Sequence, residues 1–85
     1  MFEYDANKSR SNKEKHGIDF EEAQALWQDP NIATVKFDST VEPRFGVIGM
    51  IEGKCWTAVI TYRGENIRLI SVRRSRRNEV RAYEA

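Results

Sequence analysis

Very little in this chain of 85 residues can hold a metal, a disulfide or a bilayer. There is one cysteine and one histidine. A single cysteine rules out an internal disulfide framework and suits a reducing compartment. Cys55 and His16, with no clustered carboxylates beside them, make no convincing zinc or two-metal site, and no cofactor is expected. The five glycines are scattered through turns, so no glycine-rich phosphate loop is present. No apolar run approaches the roughly 20 residues that cross a bilayer. The opening "MFEYDANKSR" lacks the apolar centre of a signal peptide. Without repeats, low-complexity tracts or a Pro/Gly/Ser linker, the expectation is one domain over residues 1–85, soluble and cytoplasmic. A Cys55–His16 nucleophile pair is conceivable, but Cys55 opens a strand beside Trp56, where a small cysteine packs.

What the chain does have is arginine at one end. Residues 1–62 hold seven Lys or Arg and ten Asp or Glu, a balance of −3; residues 63–85 hold seven Arg and three Glu, a balance of +4. Every basic group in that last segment is arginine. A guanidinium grips phosphate or carboxylate through two parallel hydrogen bonds, which an ammonium cannot do. Phosphate or carboxylate recognition and a solvated helix face are the two readings of that bias.

Local patterns outline the elements. "MFEYD" reads as a short edge strand, with Asp5 capping a polar helix that Gly17 stops. In "IDFEEAQALWQDP", Asp19 and Glu22 form a capping box, Ile18 can staple onto Ala23, and Phe20, Ala23, Leu26 and Trp27 share a helical face up to Asp29-Pro30. From residue 32 the period becomes two. "IATVKFD", "RFGVIGMI", "CWTAVITYR" and "IRLISVR" read as four strands, the last three joined by the glycine-containing turns "EGK" and "GEN". Trp56, Ala58, Ile60 and Tyr62 share one face of the third of these; Thr57, Val59, Thr61 and Arg63 share the other. Ser75 is the expected cap of a final helix anchored by Val80 and Tyr83. The expected fold is a small α+β domain with two N-terminal helices, a four- or five-stranded mainly antiparallel sheet and a C-terminal helix.

Acid–base groups combined with guanidinium electrostatics suffice for cleaving RNA without a metal. The 2′-hydroxyl attacks the neighbouring phosphorus, and the protein moves two protons and stabilises charge on the phosphate. Arg63 closes one strand, and Arg73 and Arg74 close the next. Hairpin pairing places those ends apart, so Arg63 and Arg73 need not touch. Alternation sends Arg73 and Arg74 to opposite faces, leaving one of them for packing or helix capping, and sets Ser71 beside Arg73. His16, in the last turn of the first helix, is either a helix-end cation or a group for phosphate binding or general acid work. Lys15 beside it reads as solvated. Glu42 is the carboxylate candidate for a general base, with an edge ion pair to Arg44 as the plain alternative.

The segments "FEYDANKSRSNKEKHGIDFEEAQALWQDP", "EPRFGVIG" and "AVITYRGENIRLISVRRSRRNEVRAY" together resemble the BrnT family of type II toxin–antitoxin ribonucleases. The resemblance runs from Phe2 to Tyr83, and its specificity lies in the order and spacing of short pieces such as Lys15-His16-Gly17, Asp29-Pro30, Arg63-Gly64 and Arg73-Arg74. It implies a RelE-like fold, RNA cleavage that inhibits translation, and a BrnA-type antitoxin, in a hetero-oligomer that binds operator DNA through the antitoxin. By position it implies His16, Arg63, Arg73 and Glu42 as catalytic candidates and Lys15 and Arg44 as RNA-binding ones, to which Arg74 and Tyr62 are added as residue-level candidates for holding RNA. Arg76, Arg77 and Arg81 are then expected to meet the antitoxin. Tyr62 departs from the family pattern, standing where an acidic residue is common, and Val72 replaces a smaller residue. A non-catalytic module that binds nucleic acid or a partner is the competing reading.

Overall fold

The computed structural model describes residues 1–39 and 41–85. Five strands, β1 (Phe2–Glu3), β2 (Ala33–Phe37), β3 (Arg44–Ile51), β4 (Lys54–Arg63) and β5 (Asn66–Arg74), form one sheet in the order β1-β5-β4-β3-β2. The β2–β3, β3–β4 and β4–β5 pairs are antiparallel, and β1 joins β5 in parallel. The helices are α1 (Ala6–His16) and α2 (Arg77–Glu84), with a 3-10 helix at Glu22–Gln28 between α1 and β2.

The domain is α+β as expected, but two N-terminal α-helices are not what forms. The first, α1, has its expected ends: the Asp5 carboxylate accepts from the Asn7 and Lys8 N–H groups, and Gly17 takes the left-handed conformation at φ 84° that a side chain would strain. The capping box of the second also forms, Glu22 N–H donating to Asp19 at 2.7 Å and Asp19 N–H to Glu22 at 3.0 Å. The turn it opens is nevertheless a 3-10 helix. Phe20, Ala23 and Leu26, each 1% exposed or less, repeat every three residues, and three residues per turn stacks them on a single line against the sheet. The sheet is also mixed, because β1 runs parallel to β5.

One sheet face carries the core. Ile18, Phe20, Ala23 and Leu26 pack onto Val47, Trp56, Ala58, Ile60, Leu69 and Val72. Each fully buried Leu or Ile contributes about 1.5–3 kcal/mol by leaving water. By contrast, α1 buries only Ser9 and Asn12, so polar bonds hold it. Ser9 Oγ accepts from Phe20 N–H. The Asn12 carboxamide accepts from Val72 N–H at 3.1 Å and donates to the Val72 carbonyl at 2.8 Å. It therefore acts as a strand's peptide group at the edge of β5 beyond β1, and the unpaired edge is closed.

The second face is covered only at one end. Ile48 and Thr57, both fully buried, lie there, and Glu79 of α2 reaches Thr57 from above. Ser75 is not the cap of α2: Arg76 holds that position, the Glu79 carboxylate accepts from its N–H at 2.8 Å, and Ser75 Oγ turns to Thr57 Oγ1. The reason is that Ser75 N–H still donates to the Cys55 carbonyl, which prolongs the strand by one residue.

Candidate functional site

Pairing fixes which side chains share the second face, since residues opposite one another point the same way. One row across the strands is Ala33, Ile48, Thr57 and Arg73. The next is Val35, Gly46, Val59 and Ser71, and the one beyond it contains Phe37 and Arg44 on one side and Thr61, Arg68 and Glu3 on the other. Arg63, opposite Asn66, ends the series at the β4–β5 turn. An extra residue in β5, Ile70, lies between the pairs Val59–Ser71 and Ile60–Leu69. This bulge shifts parity along β5, so Arg68 falls on the same face as Ser71 and Arg73. Plain alternation sets Arg68 on the core side, which is why the sequence pattern does not single it out.

Arg63 and Arg73 are separated by six residues along β4, about 20 Å at strand rise. They belong to two different environments. Arg73 is 18% exposed and forms a bidentate pair, 2.7 and 2.8 Å, with Glu79, itself 2% exposed. Burial by itself would raise the Glu79 carboxyl, but the Arg73 fork, the Arg76 N–H and the Thr57 hydroxyl outweigh it and bring the pKa from 4.5 to about 2. Both partners are thus committed to each other. Arg74 points to the opposite face, its guanidinium 5.5 Å from the Trp56 ring centre.

The turn end of the second face is open. Arg63 has no carboxylate within 4 Å among the described residues. Arg44 lies 3.8 Å from Glu42, and Arg68 lies 3.6 Å from Glu3, separations of loose surface pairs worth little. Thr61 Oγ1 donates to the Pro43 carbonyl at 2.7 Å, holding the bend that carries Glu42 against β4, two residues from Arg63. Beside them the Phe37 ring lies across Gly46, where an added Cβ would come within 2.6 Å of the ring; glycine is what lets the aromatic ring lie flat on the sheet. Glu42, Arg44, Arg63 and Arg68 therefore form a carboxylate-and-guanidinium group on an uncovered surface. Tyr62, half exposed, is on the other face, 5.2 Å from the Phe45 ring.

His16 and Lys15 are elsewhere. They line a cleft of about 170 Å³ between α1 and β5 with Lys8, Ser11 and Ser71, beside the middle rows of the second face. Arg76, Arg77 and Arg81 are exposed on or just before α2. Of the expected catalytic group, the fold brings Glu42 to the Arg63 end, leaves His16 in the cleft beside the middle rows and sets Arg73 at the far end. Among the described residues no three His, Cys, Asp or Glu side chains gather as a metal site, and no helix is long and apolar enough to cross a membrane.

The family model described as "Ribonuclease toxin, BrnT, of type II toxin-antitoxin system" matches residues 4–79, most of the chain. The search of curated proteins found no match to this chain.

Proposed function

The chain belongs to the BrnT family, the ribonuclease toxins of type II toxin–antitoxin systems, and on that premise we propose that it is a metal-independent endoribonuclease that cuts RNA at the open turn end of its sheet and so inhibits translation. The observation that carries this reading is the cluster of Arg44, Arg63 and Arg68 beside Glu42 on a sheet face that no helix covers there. Arg63 is exposed, Arg44 and Arg68 are half-buried, and the Arg44 Nε is buried without a partner. The Glu42 carboxylate takes the proton of the RNA 2′-hydroxyl as that oxygen attacks phosphorus. Arg63 and Arg44 donate to the phosphate oxygens as negative charge grows on them, an effect for which one donor is worth on the order of 10²–10³ in rate. The bond to the 5′-oxygen breaks, that oxygen takes a proton from solvent at the exposed rim, and a 2′,3′-cyclic phosphate is left. Lys15 and His16 hold the strand away from the scissile linkage, and Arg73 acts as scaffold through Glu79. Tyr62, on the other face, stacks on a base only where the RNA turns over the rim beside Arg63.

A protein antitoxin is the partner that the family implies. In our reading it is BrnA-like, supplies the DNA-binding part of a hetero-oligomer in the cytoplasm, and lays acidic residues along Arg76, Arg77 and Arg81. The test is cleavage of RNA by the purified chain in EDTA. Fragments ending in cyclic phosphate, lost with Arg63→Ala, are the expected result. Binding that weakens with salt but never leads to cleavage would instead establish a non-catalytic module.

A further inference from the structure

We propose that the cleft between α1 and β5 is a separate binding site for a phosphate group of a nucleic acid. This deepens the ribonuclease reading and rests on it for the ligand's source, but its construction is visible in the chain itself. The cations of α1 divide into two sets. Lys13 is paired with Glu22 at 2.8 Å, and Arg10 donates to the Asn7 side chain. Lys8 and Lys15 have no carboxylate within 4 Å among the described residues, and these are the two that line the cleft. They stand seven residues apart, about 10 Å along the helix, close enough for both ammonium groups to converge above Ser11.

The floor is rigid and its own polar atoms are used. The Asn12 carboxamide gives both donors and its acceptor to Ile18 and Val72, so it fixes the helix on the strand and competes for no ligand. The bulge at Ile70 sets Ser71 into the far wall. Two ammonium groups, the hydroxyls of Ser11 and Ser71 and the His16 ring thus face a space of about 170 Å³ with no carboxylate in its lining. That is room for a phosphate and part of its sugar, given roughly 30 Å³ for each water displaced. Glu14, next to Lys15 in sequence, is exposed and does not line the cleft, and the Asp5 carboxylate before Lys8 is already occupied by the Asn7 and Lys8 N–H groups. Charge-assisted donors in this number select an oxyanion with several acceptor oxygens.

The probe is inorganic phosphate, titrated into the full chain and followed by amide NMR. Saturable shifts at Ser11, the Asn12 side chain and Ser71 are expected, with affinity reduced about tenfold in Lys8→Gln and severalfold in Ser71→Ala. Lys8 is exposed and Ser71 half-buried in β5, so the second substitution, on a different element, keeps the test open should the first perturb α1. Shifts that never saturate, or affinity unchanged in both variants, would overturn the proposal. Short oligodeoxynucleotides, which have no 2′-hydroxyl to react, then identify the source. Equal displacement of phosphate by 5′-phosphorylated and 5′-hydroxyl strands assigns the cleft to an in-chain phosphodiester; displacement only by the phosphorylated strand assigns it to a terminal phosphate; displacement by neither overturns the nucleic-acid assignment. No cleavage is read, so the cleft and the ribonuclease reading fail independently.

Discussion

Arg63 and Arg73 occupy similar positions in the sequence, each at the end of a strand on the same sheet face, and the fold treats them in opposite ways. Arg73 lies under α2, its guanidinium locked onto a carboxylate that is 2% exposed. Arg63 stands at a solvent-facing turn, with no carboxylate within 4 Å among the described residues. An arginine whose donors are satisfied inside the protein contributes to stability and offers nothing to a ligand. One whose donors face solvent contributes little to stability and can bind an incoming phosphate. Losing toxicity on mutating either arginine would look the same in a growth assay, yet the causes would differ.

The largest expected effect separates them directly. Glu79→Ala strands the Arg73 charge in a partly buried site and removes the acceptor for Arg76 N–H and Thr57. Breaking such a pair costs about 3–5 kcal/mol, against a total stability of about 4–13 kcal/mol for a chain of this length. Urea unfolding should show a midpoint lowered by a large fraction. Arg73→Ala should do much the same, and the double variant Arg73→Met with Glu79→Leu should recover most of the loss. A stable Arg73→Ala protein without activity would erase the distinction and return Arg73 to the site.

Acid gives the same comparison without mutation. The Glu79 carboxyl is depressed from 4.5 to about 2 in the folded state. Its stabilisation is therefore complete above about pH 5 and is lost as pH falls through that range toward 2, a contribution on the order of 3 kcal/mol. Asp5, Glu22 and Asp29 are lowered too, through hydrogen bonds to Lys8, Lys13 and Tyr83 respectively, and add to the slope with the same sign. Stability measured from pH 6 to 2 should fall steeply in the parent and much less in the Arg73→Met, Glu79→Leu variant.

How far this contrast is legible in the sequence depends on the kind of signal each element leaves. β3 begins and ends at the residues its pattern predicts, and α1 is capped at Asp5 and Gly17 as expected, because caps and period-two patterns are local. Three features are not local. A glutamate in an arginine-rich C-terminal segment reads as solvated; only the return of α2 over Thr57 buries Glu79, and the three-residue spacing from Arg76 to Glu79 is the one trace of it. The i, i+3 repeat of Phe20, Ala23 and Leu26 fits an α-helix as well as the 3-10 helix that forms. The bulge at Ile70 has no composition of its own, yet it decides that Arg68 joins the guanidinium face. The separation of Arg63 from Arg73 is legible from hairpin pairing alone; the union of Arg63 with Arg44 through Thr61 and Pro43 needs the register.

At the open end the balance of effects should reverse. Arg63→Ala is expected to leave unfolding within about 0.5 kcal/mol of the parent while slowing RNA cleavage about 100-fold, as expected on removing one aimed donor to a charged transition state. The two measurements belong on the same preparation. Unfolding comparable to that of Glu79→Ala would show Arg63 to be structural as well, and cleavage at the parental rate would remove it from the site.

The smallest effect tests whether the bulge has recruited Arg68. Its guanidinium is 29% exposed and 3.6 Å from Glu3, a loose pair whose loss costs little stability. If Arg68 meets an RNA phosphate, Arg68→Ala should weaken binding of a non-cleavable single strand only severalfold at moderate salt. The diagnostic is the slope of log affinity against log salt concentration, which should become shallower by about 0.7, the value for neutralising one phosphate fewer on a single strand. Merely freeing Glu3 would leave a negative charge on the same face and weaken binding by repulsion. The variant Glu3→Gln with Arg68→Ala separates the two, because it removes that repulsion without restoring the guanidinium. A slope that stays shallow in the double variant assigns the effect to the arginine, and a slope that returns to the parent's assigns it to the carboxylate.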